Sequence, residues 1–159
     1  MKAETLKETD PNITRERISA ELQPMLSGHP ESLRRLALAG AERLSQMLHP
    51  ADLLIYDTHA VAMGWTFTGK ASDLVIHMPV YAKHINLGFN FGTSLEDPEG
   101  RLKGKGENSK HLHFASLSVL DDPYVVRLIE ASMAMAQRGG SDSRVVAKTG
   151  YSKKPIATH

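Results

Sequence analysis

The apolar positions of this chain change period along its length, and the change separates helical from extended segments. From Glu31 to Leu48, the residues Leu33, Leu36, Ala37, Gly40, Leu44, Met47 and Leu48 recur at helical spacing. Arg34, Arg35, Glu42 and Arg43 stay off that stripe. This predicts an amphipathic helix closed by Pro50, with Gly40 in its apolar face allowing another backbone to approach closely. From Val61 onward the period falls to two. Val61, Met63, Trp65 and Phe67 alternate with smaller residues, Leu74, Ile76, Met78 and Val80 alternate with Val75, His77, Pro79 and Tyr81, and Ile85, Leu87, Phe89 and Phe91 alternate with His84, Asn86, Gly88 and Asn90. A short segment from His111 to Phe114, with Leu112 and Phe114 inward, completes four predicted half-buried strands. Their short connections favour antiparallel pairing, because parallel crossovers need a dozen or more residues. Pro79 has no N–H to give a ladder, so its strand is expected at an edge or to end there.

Two further segments are punctuated by their caps. Asp122 is a ready N-cap, Pro123 takes the first helical position and Gly139-Gly140 stop the helix, with Val125, Leu128, Ile129, Ser132, Met135 and Ala136 as its packing stripe. A fainter helical pattern (Ile18, Leu22, Met25) precedes Gly28-His29-Pro30. Periodicity leaves Ala51 to Thr58 open between helix and strand. The expected organisation is a leader with a helix over 1–28, one domain over 29–139 and a polar tail over 140–159. One amphipathic helix on either side of the strands gives a two-layer α+β domain, with helices packed on one face of the sheet and the other face open.

The pattern Leu54-Ile-Tyr-Asp-Thr, Val80-Tyr-Ala-Lys and His84-Ile-Asn-Leu-Gly-Phe, then Gly92, Leu95, Asp97-Pro98, Leu102, Gly104, Gly106, Lys110-His111 and Asp122-Pro123, resembles a bacterial domain family of unknown function with the YdhG-like fold. The resemblance runs from Ala51 through Ala136. It implies a curved antiparallel sheet packed by helices, with Ala51 to Thr58 helical, and it supplies no catalytic residues. The wider fold group is similar to frataxin-type iron-handling proteins, which use an acidic ridge on a helix. Here Arg34, Arg35 and Arg43 stand against Glu31 and Glu42, so that use does not carry over.

Composition narrows the function classes. At 159 residues and 41% hydrophobic the chain suits one domain. Lysine plus arginine (19) nearly balance aspartate plus glutamate (18), so no global field recruits nucleic acid or acidic lipid. The absence of cysteine removes disulfides, thiolate metal sites and cysteine nucleophiles, and suits a reducing compartment. No run approaches the roughly 20 apolar residues of a membrane span. Met1 to Arg17 lacks the apolar segment of a secretion signal. A cytoplasmic protein is expected.

Candidate chemistry gathers on the polar sheet face, where the two-residue period places His77, His84, His111 and His113. His111 and His113, spaced i, i+2, could join His84 or His77 from a neighbouring strand in a three-nitrogen site for zinc, nickel or copper. Against this, any open sheet face must be polar, and histidine is an acceptable filler. Lys83 and Lys105 add charge. Lys105 lies between Gly104 and Gly106, where exposed backbone N–H groups could hold an anion, although the loop lacks the full nucleotide-binding signature. Enzyme motifs are missing: there is no Gly-x-Ser-x-Gly elbow, and Glu96-Asp97 and Asp121-Asp122 precede prolines as turn or cap residues do. Tyr81 with His84 is the remaining acid–base pair. The expectation is therefore a non-enzymatic domain binding a small ligand, anion or metal through Lys83, His84, Lys105, His111 and His113. A protein-interaction or self-associating module is the alternative, and a hydrolase or transferase the third reading.

Overall fold

A computed structural model describes residues 13–57 and 60–149. Three helices, α1 (Arg15–Met25), α2 (Glu31–Met47) and α3 (Pro123–Met135), accompany six strands. The strands are β1 (Asp52–Asp57), β2 (Val61–Thr66), β3 (Leu74–Val80), β4 (Asn86–Phe89), β5 (Lys110–His113) and β6 (Val145–Thr149). They form one open sheet in the order β5-β4-β3-β2-β1-β6. The β1–β6 pair is parallel and every other pair antiparallel, so the sheet is mixed.

The α+β class stands, and the four strands of the alternating region form. Their register stacks apolar residues on one face: Leu53 opposite Trp65, Trp65 opposite Ile76, Ile76 opposite Phe89, and Leu87 opposite Leu112. All of these are in the core. The helices cover this face. Trp65 donates its indole N–H to Ser45 of α2 at 2.9 Å, which lets the ring be buried without losing a hydrogen bond. A Cβ on Gly40 would stand 2.8 Å from the Phe114 ring. Gly40 thus makes room for an aromatic side chain, where the sequence suggested a backbone.

Several expectations are corrected. Ala51 to Thr58 was expected to be helical, yet Asp52–Asp57 is a strand; Thr58 lies outside the described residues. Leu53, Leu54, Ile55 and Tyr56 are buried in succession, so β1 is covered on both faces and shows no alternation. The strand carrying Pro79 is internal rather than an edge, and it ends at Val80, one residue beyond the proline. Val75 accepts from the Asn90 N–H and Tyr81 donates to the His84 carbonyl. Pro79 shares their parity and turns toward β4, where the ladder lapses between His77 and the Val80–Ile85 bridge. The segment read as the start of a polar tail supplies β6. Helix α3 stops at Met135, before Gly139, and Met135 is 40% exposed instead of packed.

Two polar knots anchor the connections. Asp52, with 0% exposure, accepts the backbone N–H groups of Asp142 and Arg144 at 2.8 and 2.9 Å and pairs with the Arg144 guanidinium at 3.2 Å, fastening the approach to β6. Asp97 accepts the N–H groups of Arg101 and Leu102, each at 2.9 Å, and the Tyr124 hydroxyl. Arg101 lies over the Tyr124 ring and pairs at 2.9 Å with Asp122, the α3 N-cap. Burial pushes the Asp97 carboxyl up, but the hydrogen bonds from Tyr124, Leu102 and Arg101 together hold it below the ordinary carboxylate range. The Arg101 hydrogen bond lowers Asp122 in the same direction.

Candidate functional site

The face of the sheet opposite the helices carries one row of residues that explains the site. Register sets Leu54 beside Gly64, Gly64 beside His77, His77 beside Gly88 and Gly88 beside His111. Glycine therefore flanks His77 on both sides. A Cβ on Gly88 would collide with the His77 imidazole, and one on Gly64 would collide with Leu74. The missing side chain on β4 is the space in which the His77 ring lies. His77 Nδ1 meets Asn90 Oδ1 at 2.7 Å; with the amide oxygen accepting, Nε2 carries the free lone pair.

Over this row lies the loop between Lys103 and Ser109. It is held by reciprocal backbone bonds between Lys103 and His111 (2.9 and 2.8 Å) and by Lys110 Nζ donating to the Gly104 carbonyl at 3.1 Å. Thr93 N–H also donates to the Asn108 carbonyl at 2.9 Å. Gly104 has φ of 116°, a backbone conformation that side chains resist, and a Cβ there would meet His111 Nδ1 at 3.3 Å. Sheet and loop enclose a groove of about 510 Å³. Ala62 and Pro79 give it an apolar patch, and His77, Asn86, Lys105 and His111 are among its polar walls.

Burial pushes the pKa of both groove histidines below the ordinary value. For His77 the Asn90 hydrogen bond opposes this and the neighbouring His111 adds to it; for His111 repulsion from His84 adds to it. Both rings are therefore neutral at neutral pH. Burial raises the Tyr81 phenol, which stays protonated and serves as a donor at the groove's end.

The structure brings Lys105 and His111 together at this groove, and leaves Lys83, His84 and His113 exposed outside it. His84 stacks on Tyr81 with ring centroids 4.8 Å apart, and His113 tilts against His84 at 5.9 Å. The three-histidine metal site of His84, His111 and His113 is not assembled. Among the described residues no group of three histidine or acidic side chains has the arrangement a metal ion needs. His77, one of the four polar-face histidines, is a groove wall that the ligand set left out, and Asn86, Ser109 and Tyr81 join it. The available signal was the spacing of Gly64, His77, Gly88 and His111, legible once strand register is known.

Among the described residues no helix is long and apolar enough to cross a membrane. No protein-family model, curated protein or solved structure matches the chain.

Proposed function

We propose that this domain binds a small molecule in the groove between the open sheet face and the Lys103–Ser109 loop, without catalysing a reaction on it. The observation that carries the reading is the convergence of His77 on β3, Asn86 on β4, His111 on β5 and Lys105 from the loop around one space of about 510 Å³. Concave sites with an apolar patch and a few converging polar groups are the usual form of ligand sites. We also read the chain as a YdhG-like domain. Some of the residues that carry that resemblance line this groove (Gly104, Gly106, His111), and others belong to the knot holding the preceding loop to α3 (Asp97, Asp122).

A thermal-shift screen of small metabolite-like compounds tests this. A ligand at 100 times its Kd raises stability by about 2.7 kcal/mol, and that rise should disappear in His111→Ala while persisting in Lys83→Ala, which changes an exposed residue outside the groove. A rise that survives in both variants would relocate the site.

A further inference from the structure

The walls of this groove are rich in donors and poor in negative charge. Lys105, Tyr81, Asn86 and Ser109 all present hydrogen-bond donors, and among the described residues no aspartate or glutamate lines the space. Glu107 is in the same loop, exposed and outside the lining. The backbone adds to the imbalance. Among the described residues, the N–H groups of Gly104, Lys105 and Gly106 donate to no protein acceptor, although their neighbour Lys103 is bonded to His111. Consecutive unpaired amides beside an ammonium favour negative charge.

Resting on the small-molecule reading above, we infer that the ligand carries an oxyanion, a carboxylate or a phosphate monoester. The oxyanion sits at the Gly104–Lys105–Gly106 turn beside His111, and the uncharged body lies over Ala62 and Pro79. Lys105 supplies the charge and the turn supplies the amides. His111, packed against Gly104, supplies an imidazole that can take a proton when the anion arrives.

That last role gives the binding a pH dependence. The charged and titratable groups around His111 are His77 on β3, His84 in the β3–β4 turn, Lys110 and His113 on its own strand, and Lys103, Lys105 and Glu107 in the loop. Neighbouring β4 contributes only Asn86 and Gly88 at this end. Positive groups outnumber negative ones, so the empty groove resists a further proton. A bound anion offsets that resistance and raises the His111 pKa, so anion affinity increases as pH falls toward the ordinary imidazole value of about 6.5.

The test is an amide-shift titration of the full chain by NMR with four probes of similar size: benzoate, phenyl phosphate, benzamide and benzylamine. The expected result is that benzoate or phenyl phosphate, or both, shift the 104–106 amides and bind at least about tenfold more tightly than benzamide or benzylamine, a difference of about 1.4 kcal/mol. Whether one or both anions bind separates carboxylate from phosphate recognition. Lys105→Ala should weaken the anions several-fold and leave benzamide unchanged, and Lys105→Arg should restore them. Benzoate, which stays ionised throughout, should bind more tightly at about pH 6 than at about pH 7.5, and His111→Gln should abolish that difference. If benzamide binds the groove as well as benzoate, or if Lys105→Ala leaves benzoate unaffected, the oxyanion assignment falls while the small-molecule reading stands. If none of the four shifts any groove amide and the metabolite screen finds no His111-dependent ligand, both fall.

Discussion

Gly40 on α2 and Gly88 on β4 lie on opposite sides of the same sheet, and each leaves room for a ring. At Gly40 the ring is Phe114, wholly inside the core; at Gly88 it is His77, half-buried and bonded to Asn90. One vacancy deepens the contact between helix and sheet. The other seats a titratable side chain at the wall of a groove. The same device, removal of a Cβ, thus serves packing on the covered face and chemistry on the open one. The side chain that fills the space, apolar or titratable, decides between the two.

This contrast can be broken in graded steps. The largest effect is expected at the exception on the open face, Asp52→Ala. It strips two backbone N–H groups and a guanidinium of a buried acceptor and should cost about 2–4 kcal/mol, discounted because Arg144 is half in water. Urea denaturation reads the loss, and hydrogen exchange should show β6 released first; unchanged protection over 145–147 would contradict it. Next comes Gly40→Val on the covered face, expected to lose about 1–3 kcal/mol by overpacking Phe114 and Met78. A similar loss, about 1–3 kcal/mol, is expected from Ser45→Ala, which leaves the buried Trp65 N–H unpaired. Trp65 is the chain's one tryptophan, so its fluorescence reports the change directly.

The smallest effects belong to pH. His77 and His111 have folded pKa values below the unfolded one. Their neutral forms contribute stability that is complete above about pH 6.5 and is lost as pH falls below it toward the folded values. Stability measured between about pH 7.5 and 5.5 should therefore decline, with a shallower slope in His77→Gln. Asp97 and Asp122 are shifted down. Their share persists above the unfolded carboxylate value of about 3.9 and goes only below it, so the two transitions separate along the pH axis.

The range of each interaction decided how much of this was legible in the residues. Alternation announced β2 through β5, because large apolar residues of the core recur there at every second position, as in Val61, Met63 and Trp65 or Leu87 and Phe89. Caps announced α3 through Asp122 and Pro123. Strand β1 was hidden because burial on both faces makes Leu53 to Tyr56 a continuous apolar run, which periodicity cannot separate from a helix. Strand β6 was hidden because Val145–Thr149 is short and its partner is about ninety residues earlier in the chain. The groove was half visible. Lys105 and His111 could be named from loop composition and alternation, but only register reveals that Gly88 stands between His77 and His111. The three histidines read as metal ligands part at the same point, since shared parity puts side chains on one face without bringing them to one place.

The bond between Asp52 and residues 142–144 also sets an order of events during synthesis. Strand β1 emerges from the ribosome long before its acceptors are matched, with 90 residues separating Asp52 from the Asp142 amide. Until that amide exists, the Asp52 carboxylate has water as its partner, and docking β1 fully into the sheet would strand a charge. Helices and hairpins close local contacts, whereas this bond joins positions 90 residues apart and carries a larger loop-closure cost.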